Sequence, residues 1–261
     1  MHRFHIAPEH CSGPTLTLRG GEAYHAVQVL RVQRGERVIV LDGVGDEFSC
    51  EVRNLMQHAL ELEIIAKSTV PPLPCQITLL QSITKGKTMD SIIQKATELG
   101  VFRIVPILSE RVVVRLDEKS ARNKTARWQH VAVEAIKQCG SAWLPKVELP
   151  STPEQFIARK ENFELPLVGS LQDDAHHLRE GILEFQAKYG RMPESACIWI
   201  GPEGDFTYSE LNAIEAAGSL PITLGALVLR VETASVYCLS ILNYELQAIG
   251  VNPGGGIQQR V

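Results

Sequence analysis

Two glycine-bearing segments hold the residues best suited to chemistry. One is Trp199-Ile200-Gly201-Pro202-Glu203-Gly204-Asp205-Phe206. The other is Leu224-Gly225-Ala226-Leu227-Val228-Leu229-Arg230-Val231-Glu232-Thr233-Ala234. Each follows a short apolar run and leads into a helical pattern. Glycine lets a ligand approach bare backbone, and open α/β sheets bind small molecules outside the carboxyl ends of their strands. A third apolar run, ending in Val168-Gly169-Ser170, belongs with them. Main-chain N–H and C=O groups at three such ends can read the edge of an adenine while aliphatic side chains cover its faces. Glu203 opposes a phosphate there, because two anions repel. A neutral or cationic cofactor fits better, which points to S-adenosylmethionine rather than ATP or NAD. A complete G-x-x-x-x-G-K-[ST] phosphate loop is absent.

The elements that must position these loops follow from periodicity. Pro71-Pro72-Leu73-Pro74 can continue neither a helix nor a central strand and reads as a stiff linker. Before it, strand-like runs dominate: 3–6, 15–18, 37–41, 47–53 and 60–65, with one helix over 22–30 and a turn at Asp42-Gly43-Val44-Gly45-Asp46. Gly43-x-Gly45 is no dinucleotide fingerprint, lacking a third glycine and a following helix. Residues 1–70 thus read as a small β-barrel-like domain.

After the linker, strands and helices alternate. Strands are expected at 77–82, 104–108, 165–169, 197–200 and 222–224. Helices are expected around Ile92–Leu99, over 120–139 with Gly140 as its stop, and along Leu178, Ile182, Phe185 and Tyr189. Thr152-Pro153-Glu154-Gln155 and Thr207-Tyr208-Ser209-Glu210 are capping boxes that start two more. The last helix, 233–248, is apolar nearly all round and should be buried, against the rest of the chain or a second copy. The pattern predicts a mostly parallel, covered sheet over 75–250 and a loose glycine-rich tail over 251–261.

Bulk properties narrow the class. The chain has 261 residues, 44% hydrophobic and 21% charged, which supports a large core. No apolar run approaches a membrane span, and Met1–Ile6 lacks the features of a signal peptide. Six scattered cysteines without a Cys-x-x-Cys pair speak against zinc or a disulfide framework. The expectation is a cytoplasmic enzyme without metal. A net charge of −4 gives nucleic acid no general support, although 103–127 holds seven basic residues against three acidic ones. Such a stretch is as readily a solvated helix face as a phosphate track.

Taken together, Gly201-Pro202-Glu203-Gly204-Asp205-Phe206…Glu210, Leu224-Gly225…Leu229-Arg230-Val231-Glu232-Thr233-Ala234 and Gln94-Lys95-Ala96-Thr97-Glu98-Leu99-Gly100-Val101 resemble the RsmE family. Arg3-Phe4 and His25…Val29-Leu30-Arg31…Gly35 extend the likeness through the small domain. The family comprises SPOUT-superfamily enzymes that methylate N3 of a uridine in 16S ribosomal RNA with S-adenosylmethionine. The resemblance implies an α/β fold: a PUA-like N-terminal β-barrel domain, a SPOUT domain with a trefoil knot, and a homodimer. Two departures stand out. Asp205 replaces the last glycine of the family's G-P-E-G-G loop. Lys137-Gln138-Cys139-Gly140-Ser141 lacks an arginine that the family carries near the end of the long helix.

On this reading Val168, Gly169, Ser170, Ile200, Gly201, Pro202, Gly204, Leu224, Gly225, Leu227, Val228, Leu229, Thr233 and Ala234 hold the cofactor. Arg230 steadies the negative charge that develops on the uracil, and Glu203 or Glu232 assists removal of its N3 proton. Glu232 can equally be a first-turn residue paired with Arg230. Arg3, Arg31, Arg34, Lys85, Lys87, Arg111 and Gln138 are expected on the RNA side, with Arg53 and His25 as weaker candidates. A ribose 2′-hydroxyl methyltransferase and a non-catalytic RNA-binding module are the rival readings.

Overall fold

Alternation of buried and exposed residues builds the first sheet. The computed structural model describes residues 1–56, 59–112, 116–172 and 175–247. Strands β1 (His2–His5), β2 (Thr15–Arg19), β3 (Arg37–Leu41), β4 (Asp46–Leu55) and β5 (Ala59–Thr69) pair in the order β1-β3-β4-β5-β2. Phe4, Leu16, Leu18, Val38, Val40 and Leu62 turn inward. β4 and β5 outrun the expected 47–53 and 60–65. Their outer halves are mostly exposed, so pairing continues there without the alternation that would have marked it. The expected helix over 22–30 begins earlier, as α1 (Gly20–Tyr24), and widens to a π turn over His25–Val29. Leu30 N–H there reaches back five residues to His25 O.

The second sheet is parallel throughout. Its strands are β6 (Gln76–Ser82), β7 (Arg103–Ile107), β8 (Lys146–Val147), β9 (Leu165–Gly169), β10 (His176–His177), β11 (Ser195–Ile200) and β12 (Leu220–Thr223), in the order β10-β12-β9-β11-β6-β7-β8. β8 and β10 escaped sequence reading because two residues carry no period. Helices α2 (Thr88–Glu98), α3 (Glu118–Cys139), α5 (Leu178–Tyr189) and α7 (Val231–Leu246) contribute to one core. The other core takes in α4 (Pro153–Ile157) and α6 (Tyr208–Ala216) with Leu80, Val168 and Trp199. Both expected capping boxes form, at Thr152/Gln155 and Thr207/Glu210. Gly140 closes α3 with φ +79°, the left-handed stop that glycine takes without strain.

α7 departs from the expectation of all-round burial. Thr233, Tyr237, Ser240 and Tyr244 form an exposed stripe, with Tyr244 78% exposed. Ala248 and the tail 251–261 lie outside the described residues.

The two sheets meet along a seam that no local pattern announced. Trp143 Nε1 donates to Val70 O at 3.0 Å. The Asp42–Asp46 turn folds onto it: Gly45 has φ +111°, and a Cβ there would stand 2.7 Å from the Trp143 ring. Lys137, its side chain only 7% exposed, donates to Glu22 and Glu134 at 2.8 Å each, bridging α3 to α1. Lys137→Met is expected to lower the unfolding free energy by about 2 kcal/mol, because two carboxylates lose a largely desolvated cation. Urea unfolding checks this, and an unchanged midpoint would refute it.

Four of the six cysteines (Cys50, Cys75, Cys197 and Cys238) are buried thiols that burial pushes up to about 12. Such thiols are unreactive core groups. No helix among the described residues is long and apolar enough to cross a membrane.

Candidate active site

β9 lies between β11 and β12, and all three run parallel, so their carboxyl ends and following loops are neighbours. Between them opens a cleft of about 430 Å³, within the usual range for small-molecule sites. From β9 come Gly169 and Ser170. From β11 come Ile200, Gly201, Pro202 and Glu203. The β12 loop supplies Leu224, Gly225, Leu227, Val228 and Leu229, and α7 adds Ala234. The remaining cofactor candidates lie outside this lining. Val168 is fully buried in the core beside α6, Gly204 is exposed under Arg111, and Thr233 belongs to the exposed stripe of α7.

Local bonding sets each loop. Ser170 is buried, and its Oγ accepts from Gln172 N–H at 3.2 Å. Gly225 N–H donates to Thr223 Oγ1 at 3.3 Å while the glycine holds φ +107°. At Gly201 the need is close approach instead: a Cβ would stand 2.9 Å from Asp205 Oδ1 and 3.2 Å from Phe206 N. Asp205 itself has φ +61°, a region aspartate tolerates at a cost of about 1–2 kcal/mol. Its Oδ1 accepts from Phe206 N–H at 2.8 Å. Burial pushes its carboxyl above the ordinary range, while the Phe206 N–H, the Arg111 guanidinium and the Leu171 N–H pull it down.

Glu203 and Asp205 are the charged side chains among the described residues lining the cleft, and no lysine, arginine or histidine joins them. Gly86-Lys87-Thr88 resembles the end of a phosphate loop, yet Gln81 stands where the upstream glycine would be. Gln81 is buried, and its Oε1 accepts from Ser235 Oγ of α7 at 2.5 Å, fastening that helix to β6.

Arg230 is the N-cap residue of α7 and follows Leu229, which lines the cleft. Its side chain is exposed and has no hydrogen bond or ion pair among the described residues. The alternative pairing of Arg230 with Glu232 does not form. Glu232 sits half-buried in the first turn of α7, where its charge suits the helix N-terminus.

The candidates for RNA divide into free and engaged groups. Arg31, Arg34, Lys85 and Lys87 are exposed. Arg3 instead lies against the end of α3, with Nη1 donating to Gln138 O at 3.4 Å, a cation among the last carbonyls of the helix. The Gln138 side chain is exposed, and His25 is half-buried. Arg111 donates to Gly204 O and so clamps the glycine loop from outside. Arg53 pairs with Glu51 at 3.1 Å and with Glu63. Much of the basic stretch is neutralised as well: Arg103 by Glu148 and Glu161, Arg122 by Glu118, Arg127 by Asp90. Arg115 lies outside the described residues. Sequence reasoning missed Leu171, Gln172 and Thr223 in the cleft wall, although their adjacency to Gly169-Ser170 and Leu224 was a usable signal. It also missed the buried Glu210 carboxylate, which accepts from Glu110 N–H at 2.8 Å and ties the loop after β7 to the start of α6.

Comparison with known proteins gives this architecture its place. The RNA methyltransferase domain matches residues 71–243, and the RNA methyltransferase PUA domain matches residues 18–65. The chain is 32% identical to ribosomal RNA small subunit methyltransferase E of Synechocystis sp., covering 95% of this chain and 78% of that one. This chain belongs to the RsmE family. The Bacillus subtilis member is 30% identical, with 90% and 92% of the two chains covered. Among solved structures, the methyltransferase E of Neisseria gonorrhoeae bound to S-adenosyl methionine matches with TM-score 0.81 and 31% identity. That match covers 94% of this chain and 97% of the other. A Legionella pneumophila putative methyltransferase in complex with its cofactor SAM reaches TM-score 0.83 at 30% identity, covering 93% and 96%. The fold is that of the SPOUT methyltransferase class, an α/β domain carrying a PUA-type sheet.

Proposed function

We propose that the chain methylates N3 of a uridine in 16S ribosomal RNA, with S-adenosylmethionine as donor. The observation that carries this reading is the cleft: bare backbone and aliphatic walls, two carboxylates and no cationic side chain among its described lining. That donor set suits an adenosyl group with a positive charge and repels a polyphosphate. The space is real and tight, since a methyl on Gly201 would collide with Asp205 and Phe206.

When bound, S-adenosylmethionine supplies an electrophilic methyl on a sulfonium. The chain's own residues do the rest. The three glycine loops hold the adenosyl portion and align it with the base. Arg230, unpaired at the rim, stabilises the negative charge spread over the uracil oxygens once N3–H is lost. Glu203, which lines the cleft, takes that proton. Glu232, outside the lining, serves the helix terminus.

Residues 1–70 act as the PUA-like RNA-holding domain, with Arg31 and Arg34 alongside Lys85 and Lys87 as phosphate contacts. Residues 75–250 form the knotted methyltransferase domain, and 251–261 a tail. The exposed Tyr237 and Tyr244 of α7 support a homodimer, and the substrate implies the cytoplasm.

The test is methyl transfer to small-subunit particles lacking the modification, followed by mass spectrometry of the nucleosides. N3-methyluridine is the expected product. A ribose-methylated nucleoside would replace the base-methylation reading. Asp205 and the missing arginine favour one other reading, a cofactor-free RNA-binding module. Calorimetry separates it, because such a module releases no heat with S-adenosylmethionine.

A further inference from the structure

Asp205 is the loop residue that the function above leaves without a task. It occupies a left-handed backbone position, φ +61°, where glycine would sit without strain. Its carboxylate is nonetheless held in place: Oδ1 accepts from Phe206 N–H at 2.8 Å and lies 2.9 Å from the point where a Gly201 Cβ would be. It therefore rests directly on the bare backbone of the loop's first glycine, and it lines the cleft. Arg111, the nearest cation, reaches the loop from outside. Its Nη1 donates to Gly204 O and, at 3.5 Å, to Asp205 O, so its bonds go to main-chain carbonyls. The Asp205 carboxylate has no ion pair among the described residues. Glu203, the other acid of the lining, is exposed and better screened by water.

We propose that Asp205 is a specificity-determining residue that makes the cleft select its ligand by charge, holding the sulfonium donor and releasing the neutral thioether product. The proposal rests on the reading of the cleft as an S-adenosylmethionine site. Donor and product share the adenosine and the amino-acid tail and differ by one methyl and one positive charge. Contacts to the shared parts bind both equally and cannot separate them. A half-buried, immobile carboxylate can, because its field is less screened than that of a solvated one. Displacing spent product by fresh donor is then built into the loop.

Calorimetry of S-adenosylmethionine and S-adenosylhomocysteine with the wild type, Asp205→Asn and Asp205→Gly tests this. Asparagine keeps the shape and the acceptor for Phe206 N–H, and glycine relieves the backbone, so between them one folded variant without the charge is assured. The expected result is a wild-type preference for S-adenosylmethionine that both variants erode about tenfold (about 1.4 kcal/mol), with S-adenosylhomocysteine affinity little changed. An unchanged affinity ratio, or equal weakening of both ligands, overturns the proposal and leaves Asp205 a loop-holding residue. Failure of the wild type to bind either ligand would instead sink the cofactor reading itself.

Discussion

Arg230→Ala is expected to cut turnover by between about tenfold and a thousandfold while S-adenosylmethionine affinity stays within about twofold of the wild type. The two readouts should separate because Arg230 caps α7 beside the cleft without contributing to its lining. The cofactor therefore loses no contact, whereas the uracil loses its fixed positive charge. A tenfold loss corresponds to about 1.4 kcal/mol of barrier, modest for one charged donor in a preorganised site. Arg230→Lys should recover only part of the rate, since an ammonium lacks the planar fork of a guanidinium. Single-turnover methylation with saturating cofactor is the measurement. Wild-type rates in the alanine variant would remove Arg230 from the chemistry.

Gly201→Val should weaken S-adenosylmethionine binding at least about a hundredfold, roughly 2.8 kcal/mol. Even a Cβ there stands 2.9 Å from Asp205 Oδ1, 3.2 Å from Phe206 N and 3.3 Å from the Phe206 ring. Asp205 can turn away, but Phe206 cannot, being 4% exposed and packed edge-on against Trp199. The loop must move, and with it one wall of the cleft. Gly225→Val is expected to impair binding by a different route. No atom lies within 4 Å of its Cβ position, but φ +107° is strained for any side chain, so the β12 loop should relax away from its binding shape. Calorimetry with both variants, alongside thermal unfolding, checks the pair. Full affinity in a folded Gly201→Val variant would show that the adenosyl group lodges elsewhere.

Much of the fold could be read because its signals are local. Thr207 and Glu210 sit three residues apart and cap α6 by themselves, and Gly140 stops α3 whatever surrounds it. The three glycine-bearing strand ends were legible as a group because a parallel sheet delivers its carboxyl ends to one side. Edges and faces were not legible. β10 has only His176 and His177 and exists because β12 offers a free edge to pair with. The tyrosine stripe of α7 was hidden within a helix whose composition reads as uniformly apolar, since hydrophobicity alone does not say which neighbours are present.

Arg3 and the Asp42–Asp46 turn mark the same boundary. Composition made Arg3 a phosphate contact, but the chain brings it to the end of α3, 135 residues away. Gly43 and Gly45 resembled an ordinary turn, but Leu144 and Trp143 press on them from the far side of the linker.

By itself, then, the order of amino acids determined the periods, the caps, the strand ends and the electrostatic sign of the ligand, all set by groups within a few residues of one another. Only the tertiary structure decided which cations stay free, which glycines face a neighbour and how Asp205 comes to lie against Gly201. Those outcomes depend on contacts between distant segments, whose free energy appears only once the chain has closed on itself.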